Sequence, residues 1–127
     1  MARYSPQREL ILSILHNTKE HPSAAIVYEK ARAVMPNISL GTVYRNLESL
    51  SADGEIQSFE FLDISHFDGE SHPHPHFCCT ECKSVSDLNC DMKKVEGLIK
   101  ELSEYDITHE SLLFYGVCRN CKSKKAI

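Results

Sequence analysis

Residues 72–82 read His72-Pro73-His74-Pro75-His76-Phe77-Cys78-Cys79-Thr80-Glu81-Cys82, and a second CxxC, Cys118-Arg119-Asn120-Cys121, follows the first after 35 residues. Two such pairs, Cys79 with Cys82 and Cys118 with Cys121, supply four soft thiolates, the set that tetrahedral zinc takes in a closed, structural site. Rubredoxin-like iron uses the same four ligands, and spacing alone does not separate the two metals. The histidines offer different chemistry. In a strand, residues two apart face the same way, so His72, His74 and His76 can present their imidazoles together. Asp68 and Asp87 are near enough in the chain to complete a mixed nitrogen and oxygen site with His74 and His76. Such a site suits iron(II), manganese(II) or zinc(II). His72 is either a further ligand or a solvated member of the His-Pro repeat.

Other uses of these residues are weaker. Six cysteines would allow three disulfides in a small secreted chain. Yet Met1-Ala2-Arg3-Tyr4-Ser5-Pro6 has no apolar core of the signal-peptide kind, and CxxC pairs in a reducing compartment point to metal or redox chemistry. A thiol oxidoreductase would place one CxxC near a βαβ unit, whereas here two lie far apart. The zinc deaminase signature, H-x-E followed by P-C-x-x-C, is absent. Cys78 and Cys90 remain outside both pairs, Cys78 reading as a packed small hydrophobe. The expected compartment is the cytoplasm, and no apolar run approaches the ~18 residues that would cross a membrane.

The chain has 127 residues and a formal net charge of −4, room for one domain or two very small ones. The negative balance weighs against a nucleic-acid partner. It is unevenly spread: residues 1–60 carry six basic and seven acidic side chains, residues 61–127 eight and eleven. A near-neutral first half can bind DNA if its positive groups share a face, and a dimer doubles that face.

The elements that must position these groups can be read in order. Ser5-Pro6 opens a helix, serine as N-cap and proline at the first helical position, with Leu10, Ile11, Ile14 and Leu15 as its apolar stripe. Ser23 caps a second helix from Ala24 to Met35, whose expected buried face is Ile26, Val27, Ala31 and Val34. His21 falls in the loop ahead of it; by itself, a loop histidine beside a proline reads as solvated or capping. Ser39 caps a third helix, Leu40 to Leu50, with Leu40, Val43, Leu47 and Leu50 inward and Thr42, Tyr44, Arg45 and Asn46 mostly outward. Asp53-Gly54 ends it, and β-rich alternation follows from Glu55 to Ile64. Three short helices and a β-ribbon make a winged helix-turn-helix, which lays its last helix in the DNA major groove. Thr42, Tyr44, Arg45 and Asn46 are the candidate DNA-contacting residues. Arg45 would take a guanine edge or a phosphate, Tyr44 a thymine methyl or the backbone.

Residues 65–71 are polar and turn-rich and read as a hinge. Beyond it lie the histidine strand, a partner strand at Ser84–Leu88, a helix from Met92 to Tyr105 and a long strand from Ile107 to Val117. This second module has few large apolar side chains and is expected to need a metal staple; its open strand edges suggest a homodimer. The fold class is α+β: a winged-helix domain at 1–64, the hinge at 65–71, and a small zinc-stapled dimerisation domain at 72–127.

Several stretches together resemble the ferric uptake regulator family: Ser-Pro-Gln-Arg at 5–8, His21-Pro22-Ser23-Ala24, Thr42-Val43-Tyr44-Arg45-Asn46-Leu47, the His-x-His-x-x-Cys-x-x-Cys at 74–82, and Tyr115-Gly116-Val117-Cys118-x-x-Cys121. The resemblance implies a dimeric, metal-dependent bacterial repressor that binds operator DNA, and not an enzyme. It implies a structural zinc on the four paired cysteines and a regulatory iron(II) or manganese(II) held by His21, Asp68, His74, His76 and Asp87. Two aspartates in that set resemble the peroxide-responsive repressors, where iron-uptake regulators usually have glutamates. In that subgroup His21 and His74 match the positions that hydrogen peroxide oxidises. The alternative within the family is an iron- or zinc-responsive regulator without peroxide sensing. No membrane partner is expected, nor any small-molecule substrate beyond metal ions and peroxide. Two departures are expected. Pro73 and Pro75 stand where several relatives carry ligands of a further metal site, and the extra N-terminal helix of many relatives is missing.

Overall fold

A computed structural model of the chain describes residues 5–70, 74–107 and 110–125. His72, the first of the three alternating histidines, lies outside the described residues, as does Pro73. The chain forms two compact units, 1–72 and 73–127, each described by itself below.

The first unit contains α1 (Pro6–His16), α2 (Ala24–Val34), α3 (Leu40–Ala52), β1 (Gln57–Phe61) and β2 (Ile64–Asp68). Serine starts all three helices. The side chains of Ser5, Ser23 and Ser39 accept the backbone N–H of Arg8, Ile26 and Thr42, each satisfying a donor that the first helical turn leaves open. The helices meet through Ile11 and Leu15, Ala24, Val27 and Ala31, and Val43, Leu47 and Leu50, with Ile56 and Phe67 closing the core. Burial of each larger side chain contributes about 1.5–3 kcal/mol. Gly54, at φ +74°, carries the chain out of α3.

Two expectations need correcting here. Ile26 and Val34 of α2 are 45% and 65% exposed, and Leu40 is 42% exposed. The stripe α2 buries is the narrower 24, 27, 31, and Val34 and Leu40 sit in end turns that the core does not reach. Second, the β-ribbon continues past Ile64. β1 pairs antiparallel with β2, Gln57 opposite Asp68 and Phe61 opposite Ile64, around a two-residue turn with Leu62 and Asp63 at φ 56° and 62°, as tight hairpins require. Residues 65–68 of the expected hinge are therefore paired strand; Phe67, only 6% exposed, is pulled into the core and fixes that register.

The second unit holds β3 (His76–Cys79), β4 (Val85–Asp87), α4 (Lys93–Glu101), β5 (Leu113–Gly116) and α5 (Arg119–Lys125). Its sheet runs β4-β3-β5, β4 antiparallel and β5 parallel to β3. Among the described residues the histidine strand starts at His76, and His74 and Pro75 precede it outside the strand. Among the described residues, the expected long strand over 107–117 is paired with β3 at 113–116, matching the four residues that β3 offers. Helix α5 went unread in the sequence: its Lys- and Ser-rich seven residues carry no apolar stripe. Among the described residues of this unit, the buried apolar side chains are Pro75, Cys78, Cys79 and Cys121, and α4 buries none of its own.

Candidate metal centres

The four paired cysteines converge. Cys79 ends β3; a turn, with Cys79 N–H bound to Ser84 O and Lys83 N–H to Cys79 O, brings Cys82 back beside it. β5 runs alongside until Gly116 sits opposite Cys79, which delivers Cys118, and the first turn of α5 adds Cys121. All four Sγ atoms lie within 4.8 Å of one another, with Cys79 to Cys121 and Cys82 to Cys118 both at 3.8 Å. A zinc–sulfur bond of about 2.3 Å in a regular tetrahedron sets neighbouring sulfurs about 3.8 Å apart. The donor set thus fits a structural zinc in kind and in spacing.

Electrostatics agree. The Cys79 thiol is pulled down to about 6 because the backbone N–H groups of Cys82 and Cys118 point at its sulfur. Cys82 is lowered by the Ser84 hydroxyl. Cys121, held against the Cys118 sulfur and buried, is pushed up to about 12. The cluster thus favours its first negative charges and resists the last, an imbalance that a divalent cation removes. Cys78, on the other face of β3, is fully buried and its thiol is raised by burial, the packed hydrophobe expected. Cys90 is exposed.

The imidazoles and carboxylates form one group in each unit. In the first, His21 and Asp68 are 3% and 7% exposed, with Nε2 and Oδ2 3.1 Å apart. Three consecutive residues of β2 hold the loop that carries His21. His66 Nδ1–H donates to the His21 carbonyl at 2.9 Å, Phe67 N–H donates to the Pro22 carbonyl at 3.0 Å, and Asp68 meets the imidazole. His21 has φ 54°, a left-handed conformation that costs a residue with a side chain roughly 1–2 kcal/mol, and the proline after it narrows the backbone further. Asp68 is aimed in turn: its Oδ1 accepts the Glu70 N–H at 3.0 Å. Gly69 between them is obligatory, since a Cβ there would stand 2.7 Å from the Leu15 backbone.

In the second unit, the β3–β4 register sets His76 opposite Asp87. Asp87 Oδ1 lies 2.9 Å from His74 Nε2 and 3.4 Å from His76 Nε2, and the two rings are 4.5 Å apart. A ring nitrogen and a carboxylate oxygen this close share a proton or a cation. Two imidazoles and a carboxylate suit iron(II), manganese(II) or zinc(II), so both groups fit a divalent metal in their chemistry. The structure thus brings His21 to Asp68, and His74 and His76 to Asp87. His66 was not singled out in the sequence; its alternation within a strand that ends in Asp68 was the available signal.

On α3, Val43, Leu47 and Leu50 are buried, while Tyr44 is 46% exposed and Arg45 is exposed beside it. Thr42 organises this face. Its hydroxyl oxygen accepts from the Ser39 hydroxyl at 2.9 Å and from Arg45 Nη2 at 3.0 Å, and its carbonyl accepts from Asn46 Nδ2 at 2.8 Å. No helix of the described residues is long and apolar enough to cross a membrane.

The sequence profile of the Ferric uptake regulator family matches residues 1–115. The peroxide-responsive repressor PerR of Staphylococcus aureus is 33% identical over 124 residues, which cover 96% of this chain and 84% of that one. The solved structure of the Campylobacter jejuni peroxide stress regulator is similar with a TM-score of 0.76 at 29% identity, over 91% of this chain and 89% of that one. The Vibrio cholerae ferric uptake regulator, whose structure is described as showing a rearrangement of its DNA-binding domains, is similar with a TM-score of 0.68 at 28% identity, over 91% and 92%.

Proposed function

This chain belongs to the ferric uptake regulator family, and from that premise we propose that it is a cytoplasmic, dimeric repressor whose hold on operator DNA depends on a bound metal and is released by hydrogen peroxide. At the coarser level it is a metal-responsive, PerR-like repressor, a transcription regulator and not an enzyme. The observation that carries the finer reading is the pair of aspartates. Asp68 stands against His21 in one unit and Asp87 against His74 and His76 in the other. Both carboxylates are short, as in the peroxide-responsive subgroup that the sequence resembles.

In this reading His21, Asp68, His74, His76 and Asp87 hold one regulatory iron(II) or manganese(II), and Cys79, Cys82, Cys118 and Cys121 hold zinc. Residues of both units are then ligands of one ion, which ties the DNA-reading unit to the dimerising one. Thr42, Tyr44, Arg45 and Asn46 meet DNA, Arg45 kept ready by Thr42. Dimerisation would cover Leu98, Leu102, Tyr105, Phe114 and Tyr115, all at least 38% exposed. Iron(II) held by these residues would supply the redox chemistry that opens the O–O bond of hydrogen peroxide, the two electrons coming in net from the imidazole that is oxidised. His21 or His74 takes up one oxygen atom on its ring, water being the other product. An imidazole so altered is a poorer donor, the five-residue set loosens, and the first unit is no longer held in the arrangement two operator half-sites require.

The test is mass spectrometry of iron(II)-loaded protein after mild peroxide, with manganese(II)-loaded protein as control. One added oxygen on the peptide carrying His21 or His74, in the iron form alone, supports sensing. Modification confined to cysteines contradicts it. Unmodified histidines in protein that still binds DNA when loaded with metal would favour the iron- or zinc-responsive alternative.

A further inference from the structure

His66 is absorbed neither by the two metal centres nor by the DNA-facing helix, yet the geometry around it is built. A carbonyl only accepts, so the 2.9 Å contact to His21 O places the proton of His66 on Nδ1. The ring is fixed from its faces as well, stacked on Phe59 at 5.7 Å and 13° and tilted against Phe61 at 6.3 Å. Phe59 also meets the His21 ring at 6.1 Å. His66 therefore grips the backbone of His21, and the aromatic ring beneath it borders the His21 imidazole.

We propose that His66 is a positioning residue for the regulatory metal. Its Nδ1–H holds the His21 carbonyl in the left-handed conformation that aims Nε2 at Asp68. The inference rests on the five-residue reading above. A loop before a proline would otherwise relax to extended backbone, carrying the imidazole off the carboxylate. Partners of this kind, one step removed from the ligands, typically cost about 10- to 100-fold in metal affinity when lost.

The experiment measures manganese(II) binding to the full-length, zinc-containing protein by electron paramagnetic resonance of the free ion. H66F keeps an aromatic ring on Phe59 and removes the donor; H66N restores an N–H near the position of Nδ1. The expected result is a manganese(II) Kd weakened about 10- to 100-fold in H66F, unchanged zinc content and thermal midpoint, and recovery towards wild type in H66N. Wild-type affinity in H66F overturns the proposal, and so does equal weakness in H66F and H66N, which would assign the effect to packing. If H66F does not fold, H66M, which fills the space without a donor, is judged by the same criterion. H21A separates the two levels. Undiminished manganese(II) binding there removes the five-residue reading and this inference with it, whereas a weakened H21A beside an unaffected H66F removes only the inference.

Discussion

Asp87 offers one carboxylate oxygen to two imidazoles, at 2.9 Å and 3.4 Å, from the end of a three-residue strand. A carboxylate one methylene longer has to fold back or push the rings apart, so Asp87→Glu changes how the donors surround an ion without removing any of them. The expected outcome is a repressor that still binds DNA when loaded with metal but loses most of its sensitivity to peroxide. Side-by-side release assays on the iron-loaded proteins check this, and equal sensitivity would count against the subgroup. Residue identity alone was a poor guide at position 21. A histidine between Glu20 and Pro22 has the look of a solvated loop residue, and only the family resemblance raised it to a ligand. The structure supplies the physical reason it differs: it is 3% exposed, left-handed in φ and held by three consecutive residues of β2.

At the scale of elements, α3 depends on its first residue more than a single cap would suggest. Ser39 accepts the Thr42 N–H and donates to the Thr42 hydroxyl, which in turn receives Arg45. Ser39→Ala should cost about 1 kcal/mol of stability, the usual worth of such a cap, and should weaken DNA binding beyond that loss because Arg45 is no longer held. Urea denaturation and operator titration measure the two effects; a variant with lower stability but unaltered affinity would separate Arg45 from its anchor. The helices were legible because each combines a serine cap with a 3.6-residue stripe, and Arg8 of the Ser-Pro-Gln-Arg stretch has a structural task of its own. It bonds Ser49 at 2.8 Å, Asp53 at 2.7 Å and Glu55 at 3.1 Å, tying α1 to the end of α3. The strands were less legible. Ile64 to Asp68 looked polar because His66 and Asp68 serve the His21 loop, and β5 is short because its partner is. Nothing in Arg119–Lys125 announces a helix, since the thiolate cluster and not an apolar face gives it a reason to dock.

For the whole molecule, the two units differ in what holds them. The first has a core from three helices and a hairpin; the second, among its described residues, buries little beyond cysteines, Pro75 and His76. Structural zinc contributes about 10–16 kcal/mol of apparent binding free energy in small domains, enough to decide whether such a unit folds. Cys118→Ser, or a strong chelator, should therefore abolish hydrogen-exchange protection across residues 74–125 and leave that of residues 5–70 largely intact; uniform protection would mean that the thiolates are not the staple. On the proposed reading, in which His21, Asp68, His74, His76 and Asp87 hold one ion, metal would act on DNA binding by linkage, and DNA would tighten metal binding by the same factor. Shifting a two-state repressor from ~1% to ~99% competent takes about 5.5 kcal/mol of differential binding.

The most direct measurement is operator affinity with and without the regulatory metal. Duplexes are selected from a random pool by the zinc-containing, manganese(II)-loaded protein and then titrated with the loaded protein, the protein freed of manganese(II) alone, and the H21A variant. The account predicts tight binding by the first and a loss of at least ~100-fold in the other two. Equal affinity in all three would contradict it.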